Sequence, residues 1–158
     1  MAIQVLINLA IAFLWMFLQD EWSALSFIGG YFVGLFVVFC MRRFFPTSFY
    51  MKKIISILKL LCVFLYESLF SSIYVIRQVV KPKIDVTPGI FKMETDLESN
   101  LEVTLLALLI TLTPGSVVVE VTPDNKVFYV HGLNLPESID AVIQSKVNFE
   151  KAIKEVTR

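Results

Sequence analysis

Charge is nearly absent from the start of this 158-residue sequence: before Arg42 the only charged side chains are Asp20 and Glu21. Such a stretch cannot present a water-facing surface. Histidine occurs once and cysteine twice, far apart in the chain, which excludes a zinc-type ligand set. Cys40 and Cys62 both lie inside apolar runs and are expected as buried thiols rather than a disulfide. There is no glycine-rich phosphate loop and no nucleophile elbow, so neither nucleotide chemistry nor acyl transfer is indicated, and no cofactor or metal is expected. The net charge is zero, and no basic patch with interleaved aromatics offers itself to nucleic acid.

What remains is hydrocarbon. The chain is 56% hydrophobic with a mean hydropathy of +0.72, and most of its charge falls after Pro82. This asymmetry predicts a membrane part followed by a smaller water-facing part. Ala24 to Arg43 (ALSFIGGYFVGLFVVFCMRR) is apolar until the Arg42-Arg43 pair. At about 1.5 Å per residue it reaches nearly across a hydrocarbon core of roughly 30 Å. The arginines place its end on the cytoplasmic side. Ala2 to Leu18 is a second apolar run without the positive flank of a signal peptide, read as a retained span. Gln19 to Ser23 makes the outer turn, with Trp22 at the interface, so the two runs form an antiparallel hairpin.

Within the hairpin, Ser26, Gly30 and Gly34 repeat at four-residue spacing and give one smooth face where another backbone can approach. Gln4 and Asn8 share a second face, and their amides need partners in hydrocarbon. The small face meets either another subunit or the hairpin's own first helix.

Ile54 to Ile76 is long and apolar enough to span, yet Ser56, Lys59, Tyr66, Glu67, Ser71, Tyr74, Arg77 and Gln78 gather on one side of it. Lys52 and Lys53 precede it; Arg77, Lys81 and Lys83 follow. Positive charge at both ends favours a helix in the plane of the inner interface over a third span. Lys59 and Glu67 are the ionisable pair at membrane depth and hence candidates for an ion pathway; alternatively their stripe faces headgroups or a neighbouring protein.

Beyond the Lys81-Pro82-Lys83 and Thr87-Pro88-Gly89 breaks the pattern changes. A strand is expected from Ile90, then a helix over Leu101 to Leu112 with a capping box at Ser99 and Glu102. That helix is apolar nearly all round, too short for a comfortable span, and is expected to be buried between a sheet and either the membrane surface or a partner. Thr113-Pro114-Gly115 ends it. A β-hairpin follows, Val117 to Val121 and Val127 to Val130, then an amphipathic helix from Ile139 to Val156 with Asp140, Lys146, Glu150, Lys151 and Lys154 towards water. The order β-α-β-β-α describes a small α+β domain, an incomplete ferredoxin-like sandwich. His131 is read as making a structural hydrogen bond.

Leu105 to Leu133, LLALLITLTPGSVVVEVTPDNKVFYVHGL, resembles the E-subunit family of the Mrp-type (also called Mnh or Pha) multisubunit cation/proton antiporters. INLAIAFLWMFL near the N-terminus, GGYFVGL in the second helix and RQVVKPKIDVTPGIFKM from Arg77 match the same family in order. The resemblance implies an accessory or assembly subunit, not an enzyme, in a plasma-membrane complex that exports Na⁺ in exchange for protons, with other membrane subunits as partners. In that family ion translocation is attributed mainly to large subunits resembling the membrane arm of respiratory complex I. Thr113, Pro114 and Gly115 carry over as a structural turn. A stand-alone small transporter and a membrane-anchored scaffold are the other readings. The organisation expected is a transmembrane hairpin over 1–43, a membrane-associated or third transmembrane helix over 44–81, and a cytoplasmic α+β domain over 82–158.

Overall fold

The computed structural model describes residues 2–45, 49–82 and 86–158. The two apolar runs form α1 (Ala2–Gln19) and α2 (Ala24–Cys40). Asp20 makes the turn between them with a φ of 53°, and Ser23 caps α2 by accepting the Ser26 amide at 3.1 Å. α2 tightens into a 3₁₀ turn over Met41–Phe44, so the arginine pair sits just past the α-helix rather than inside it. Arg42 folds back with its guanidinium 4.6 Å from the centre of the Phe39 ring. α3 (Tyr50–Val79) then runs for 30 residues, beyond both ends of the apolar core of its sequence. The Lys83 flank lies outside the described residues. By length and composition three helices are able to cross a membrane: α1, the stretch Ala24–Phe44, and α3.

The chain divides into two compact units inside α3, Met1–Ile55 and Ser56–Arg158. In the first, α1 and α2 form the hairpin and Tyr50 is buried against it. The second holds the rest of α3, followed by β1 (Gly89–Glu94), α4 (Asn100–Leu112), β2 (Ser116–Val121), β3 (Val127–Gly132) and α5 (Glu137–Thr157). The sheet order is β1-β3-β2, with β3 antiparallel to both neighbours. β1 and β2 are therefore parallel strands split by β3, the arrangement expected of an incomplete ferredoxin-like sandwich.

Strand alternation decides which face is covered. Phe91, Val130 and Val118 align in one inward row, and Met93, Phe128 and Val121 in another. Onto them pack Leu97, Val103, Leu106 and Ile110 from the α4 side and Val142, Phe149 and Ile153 from α5, while Leu60, Val63 and Phe64 of α3 close the cluster. Fully burying each such side chain is worth about 1.5–3 kcal/mol. The opposite sheet face is open: Ile90, His131 and Val117 form one exposed row and Lys92, Tyr129 and Glu120 the next. The His131 side chain thus stands on an exposed surface and makes no hydrogen bond among the described residues, contrary to the structural role read from its position. In α4, Val103, Leu106 and Ile110 face the core, whereas Leu101, Leu108 and Leu112 are exposed on the side left for a membrane surface or a partner, because the two-layer packing covers only one side of it.

One buried carboxylate ties the ends of α4 and α5 together. Glu102 completes the capping box, accepting the Ser99 and Glu98 amides at 3.4 and 3.3 Å. Its other oxygen accepts Thr157 Oγ1 at 2.6 Å and meets Arg158 Nε at 3.4 Å. The Thr157 hydrogen bond does most to hold the Glu102 carboxyl down at about 2 from an ordinary 4.5; Arg158 and the two amides add to this, and burial opposes it. The folded state favours the charged form, so this stabilisation is complete above about pH 4.5 and is lost as pH falls towards 2. Glu102→Gln is expected to lower the melting temperature by several degrees at pH 7 and to flatten its fall between pH 5 and 3, measured by circular dichroism in detergent.

Candidate functional site

The polar stripe of α3 is met by α5. The two helices run antiparallel, and their contacts step along in register. Near one end Lys59 Nζ pairs with both carboxylate oxygens of Glu155 at 2.6 and 2.7 Å. In the middle, Glu67 accepts Ser145 Oγ at 2.6 Å and Asn148 Nδ2 at 2.7 Å. At the other end, Tyr74 donates to Glu137 Oε2 at 3.3 Å. A two-turn step of about 11 Å on each helix accounts for the spacing. Glu67 is 7% exposed, so its charge is held out of water by two neutral donors, one on each oxygen. Lys59 and its partner are half in solvent, where such a pair is worth about 0.2–1 kcal/mol. The structure does not bring Lys59 and Glu67 to each other; each has its own partner on α5.

The sequence pattern did not reveal those partners. Ser145 and Asn148 are spaced three apart on α5, which is enough for both to reach one carboxylate, but nothing local pointed them at α3. Glu150, expected towards water, is buried: Thr95 Oγ1 donates to it at 2.5 Å and Lys146 sits at 3.2 Å. With the stripe turned inward, the outer side of α3 is apolar. Leu58, Leu61, Leu65, Leu69, Ile73 and Ile76 are all exposed.

In the hairpin, the buried face of α2 is Ser26, Gly30, Gly34 and Val38, and that of α1 is Gln4, Asn8, Ala12 and Met16. These faces lie against each other, so the small-residue face is taken by the chain's own first helix. A Cβ on Gly30 would lie 2.8 Å from the Ala12 carbonyl oxygen and 2.7 Å from Trp15 Cβ. At Gly34 it would meet the Asn8 side chain and, at 3.0 Å, the Asn8 carbonyl oxygen. The amides find their partner in Tyr50. Gln4 Oε1 accepts the Tyr50 amide at 2.9 Å, Asn8 Nδ2 donates to the Tyr50 hydroxyl at 2.7 Å, and Tyr31 Oη lies 3.1 Å from that hydroxyl. Tyr50 precedes the apolar run and carried no signal of this role. Cys40 and Cys62 are free and exposed rather than buried, because the helices that carry them leave much of their apolar surface uncovered.

At the end of α4, Thr113 Oγ1 donates to the Leu109 carbonyl at 2.8 Å and Ser116 Oγ to that of Ile110 at 3.0 Å, satisfying carbonyls the helix itself leaves open. Gly115 takes a φ of +93° between them. Beneath this turn is a cavity of about 70 Å³ lined by Phe70, Tyr74, Thr113, Pro114, Ser138 and Val142. Among the described residues no group of three or more His, Cys, Asp or Glu side chains is placed to hold a metal ion.

The hairpin geometry separates two neighbouring glycines. Gly30→Ala places its methyl against the α1 backbone and is expected to cost about 1–3 kcal/mol, whereas Gly29→Ala, whose nearest neighbour is Trp15 Nε1 at 3.8 Å, is expected to be tolerated. The yield of monodisperse protein in mild detergent distinguishes them, with Gly30→Ala depleted and Gly29→Ala unchanged.

Comparison with known proteins places the whole chain. A family profile described as "Na+/H+ ion antiporter subunit" matches residues 8–156. The E subunit of the Na(+)/H(+) antiporter of Bacillus subtilis is 42% identical over 158 residues, all of both chains. The protein of the same name from Alkalihalophilus pseudofirmus is 40% identical, again over all of both chains. Among solved structures, a chain of the membrane-bound sulfane sulfur reductase, an archaeal respiratory membrane complex, superposes with a TM-score of 0.56. It is 20% identical and the match covers 97% of this chain and 98% of that one, a likeness of fold. This chain belongs to the E-subunit family of Na⁺/H⁺ antiporters.

Proposed function

We propose that this protein is a subunit of a multisubunit membrane complex exchanging Na⁺ for H⁺, and that it holds neighbouring subunits in place rather than carrying the ion. Full-length kinship with the E subunits of two Na⁺/H⁺ antiporters supports the first half. The second rests on the α3–α5 seam: of the two ionisable candidates, Glu67 is buried and committed to Ser145 and Asn148, and Lys59 is drawn to the solvent edge by Glu155. A carboxylate with a neutral donor on each oxygen is a structural anchor, and the Thr113-Pro114-Gly115 turn, its hydroxyl given to an α4 carbonyl, is another. Glu67→Gln keeps the shape but replaces one acceptor, so we expect less assembled complex and unchanged exchange per assembled complex in everted membrane vesicles. Normal assembly with abolished exchange overturns this reading and puts Glu67 in the ion path.

The seam also bears on topology. α5 carries Asp140, Lys146, Lys151, Lys154 and Glu155 along the length that accompanies α3. Were α3 to cross the bilayer, those charges would be drawn in with it, at about 2.5–3.5 kcal/mol for each near the centre. The lower-energy arrangement is two spans, α1 and α2, with α3 in the plane of the cytoplasmic interface and the α+β unit in the cytoplasm. Arg42 and Arg43 just past α2, with Lys52 and Lys53 in the first turn of α3, favour the same side. A cysteine at Asn125, in a chain with Cys40 and Cys62 replaced by serine, is expected to resist impermeant thiol reagents in intact cells and react after permeabilisation. Reaction in intact cells overturns the two-span topology.

A further inference from the structure

Along one flank of the α3–α5 seam runs a groove of about 380 Å³, lined by Lys59, Cys62, Val63, Tyr66 and Glu67 of α3 and Asn148, Lys151 and Ala152 of α5. That volume falls within the range of small-ligand sites. We propose that this groove binds the phosphodiester of a membrane phospholipid, with the Lys59 and Lys151 ammonium groups on its oxygens and the acyl chains lying along the exposed apolar side of α3. The proposal rests on the in-plane placement of α3 argued above.

Four observations carry it. The first is charge: two lysines border the groove, and among the described residues Lys151 makes no ion pair. The second is the state of the nearby acids. Glu67 lines the groove, but each of its oxygens already accepts a hydrogen bond, from Ser145 and from Asn148. Glu155 faces Lys59 at the solvent edge, with its side chain 35% exposed, so it is free to yield that lysine to a stronger acceptor. The third is position. On the helical wheel Cys62, Tyr66 and Lys59 follow each other round the helix from the apolar side that carries Leu58, Leu61, Leu65 and Leu69. A phospholipid resting its chains on those leucines has its phosphate at the height of the groove. The fourth is Tyr66, 66% exposed and stacked on Phe70 at 6.4 Å, which gives the rim an apolar ring with a polar tip suited to a headgroup boundary.

The test uses the intact complex in nanodiscs containing phosphatidylglycerol with a photoactivatable diazirine in the headgroup, and peptide mapping of the label. Label is expected on Cys62–Tyr66 and Asn148–Ala152. Lys151→Gln and Lys59→Gln are each expected to reduce it by up to about fivefold, the factor one exposed charge contact supplies. Glu155→Gln is expected to raise it, because Lys59 loses its competing carboxylate; a merely structural role for this pair predicts no gain. Equal labelling of these peptides by diacylglycerol bearing the same probe, or labelling indifferent to both lysine substitutions, overturns the proposal. Nitroxides at Leu58, Leu65 and Ile76 test the underlying placement separately: equal depth upholds α3 in the plane, and a monotonic gradient overturns it whatever the labelling shows.

Discussion

A carboxylate taken out of water must be met by donors, and the arrangement of the second unit depends on the donors Glu67 finds. Buried without them it costs several kcal/mol. With a hydroxyl on one oxygen and an amide on the other, each charge-assisted bond returns about 1.5–3 kcal/mol. Because both donors are on α5, this one residue fixes which side of α3 faces the α+β unit. Lys59 and Tyr74, about two turns away in either direction, have only to find whatever lies opposite on an antiparallel helix. Leu60, Val63 and Phe64 then join the core.

The consequence is a helix with two unlike surfaces. A 30-residue apolar helix is normally read as a span, yet this one has its polar groups committed on one side and leucine and isoleucine exposed on the other. The in-plane placement proposed for it rests on this two-sidedness. The same physics recurs in the hairpin with other chemistry. There the polar groups are amides and hydroxyls, and Tyr50 gathers Gln4, Asn8 and Tyr31 into one buried cluster. Close approach of the two helices is permitted by Gly30 and Gly34, which keep the α1 backbone within van der Waals distance.

For a member of an ion-transporting complex, this allocation of polar groups matters. Ionisable side chains in a transport path exchange partners as the ion passes. Here Glu67, the buried candidate, is held in a two-point contact by the chain itself. The apolar surfaces left over, on the outer side of α3 and on Leu101, Leu108 and Leu112 of α4, face away from the core and are available to lipid and to neighbouring subunits. A small domain with one open sheet face and one uncovered helix side is built to be assembled into something larger.

The amino-acid sequence by itself determined the elements. Runs of apolar residues, the Ser99–Glu102 cap, the Thr113-Pro114-Gly115 stop and the alternating strands are local signals, governed by the covalent geometry of neighbouring residues, and they appear where those signals stand. It also determined the family, because the Leu-Thr-Pro-Gly turn and its hairpin are a contiguous string. Tertiary structure alone decided the partners. Glu67 with Ser145 is a contact across 78 residues, Lys59 with Glu155 across 96, and Gln4 with Tyr50 across 46. A helical wheel shows that a polar stripe exists and is silent on what it faces, since headgroups, another subunit and the chain's own last helix all satisfy the same hydrogen-bonding demand. The long-range contacts that set α5 beside α3, those of Glu67 together with the core, made that choice.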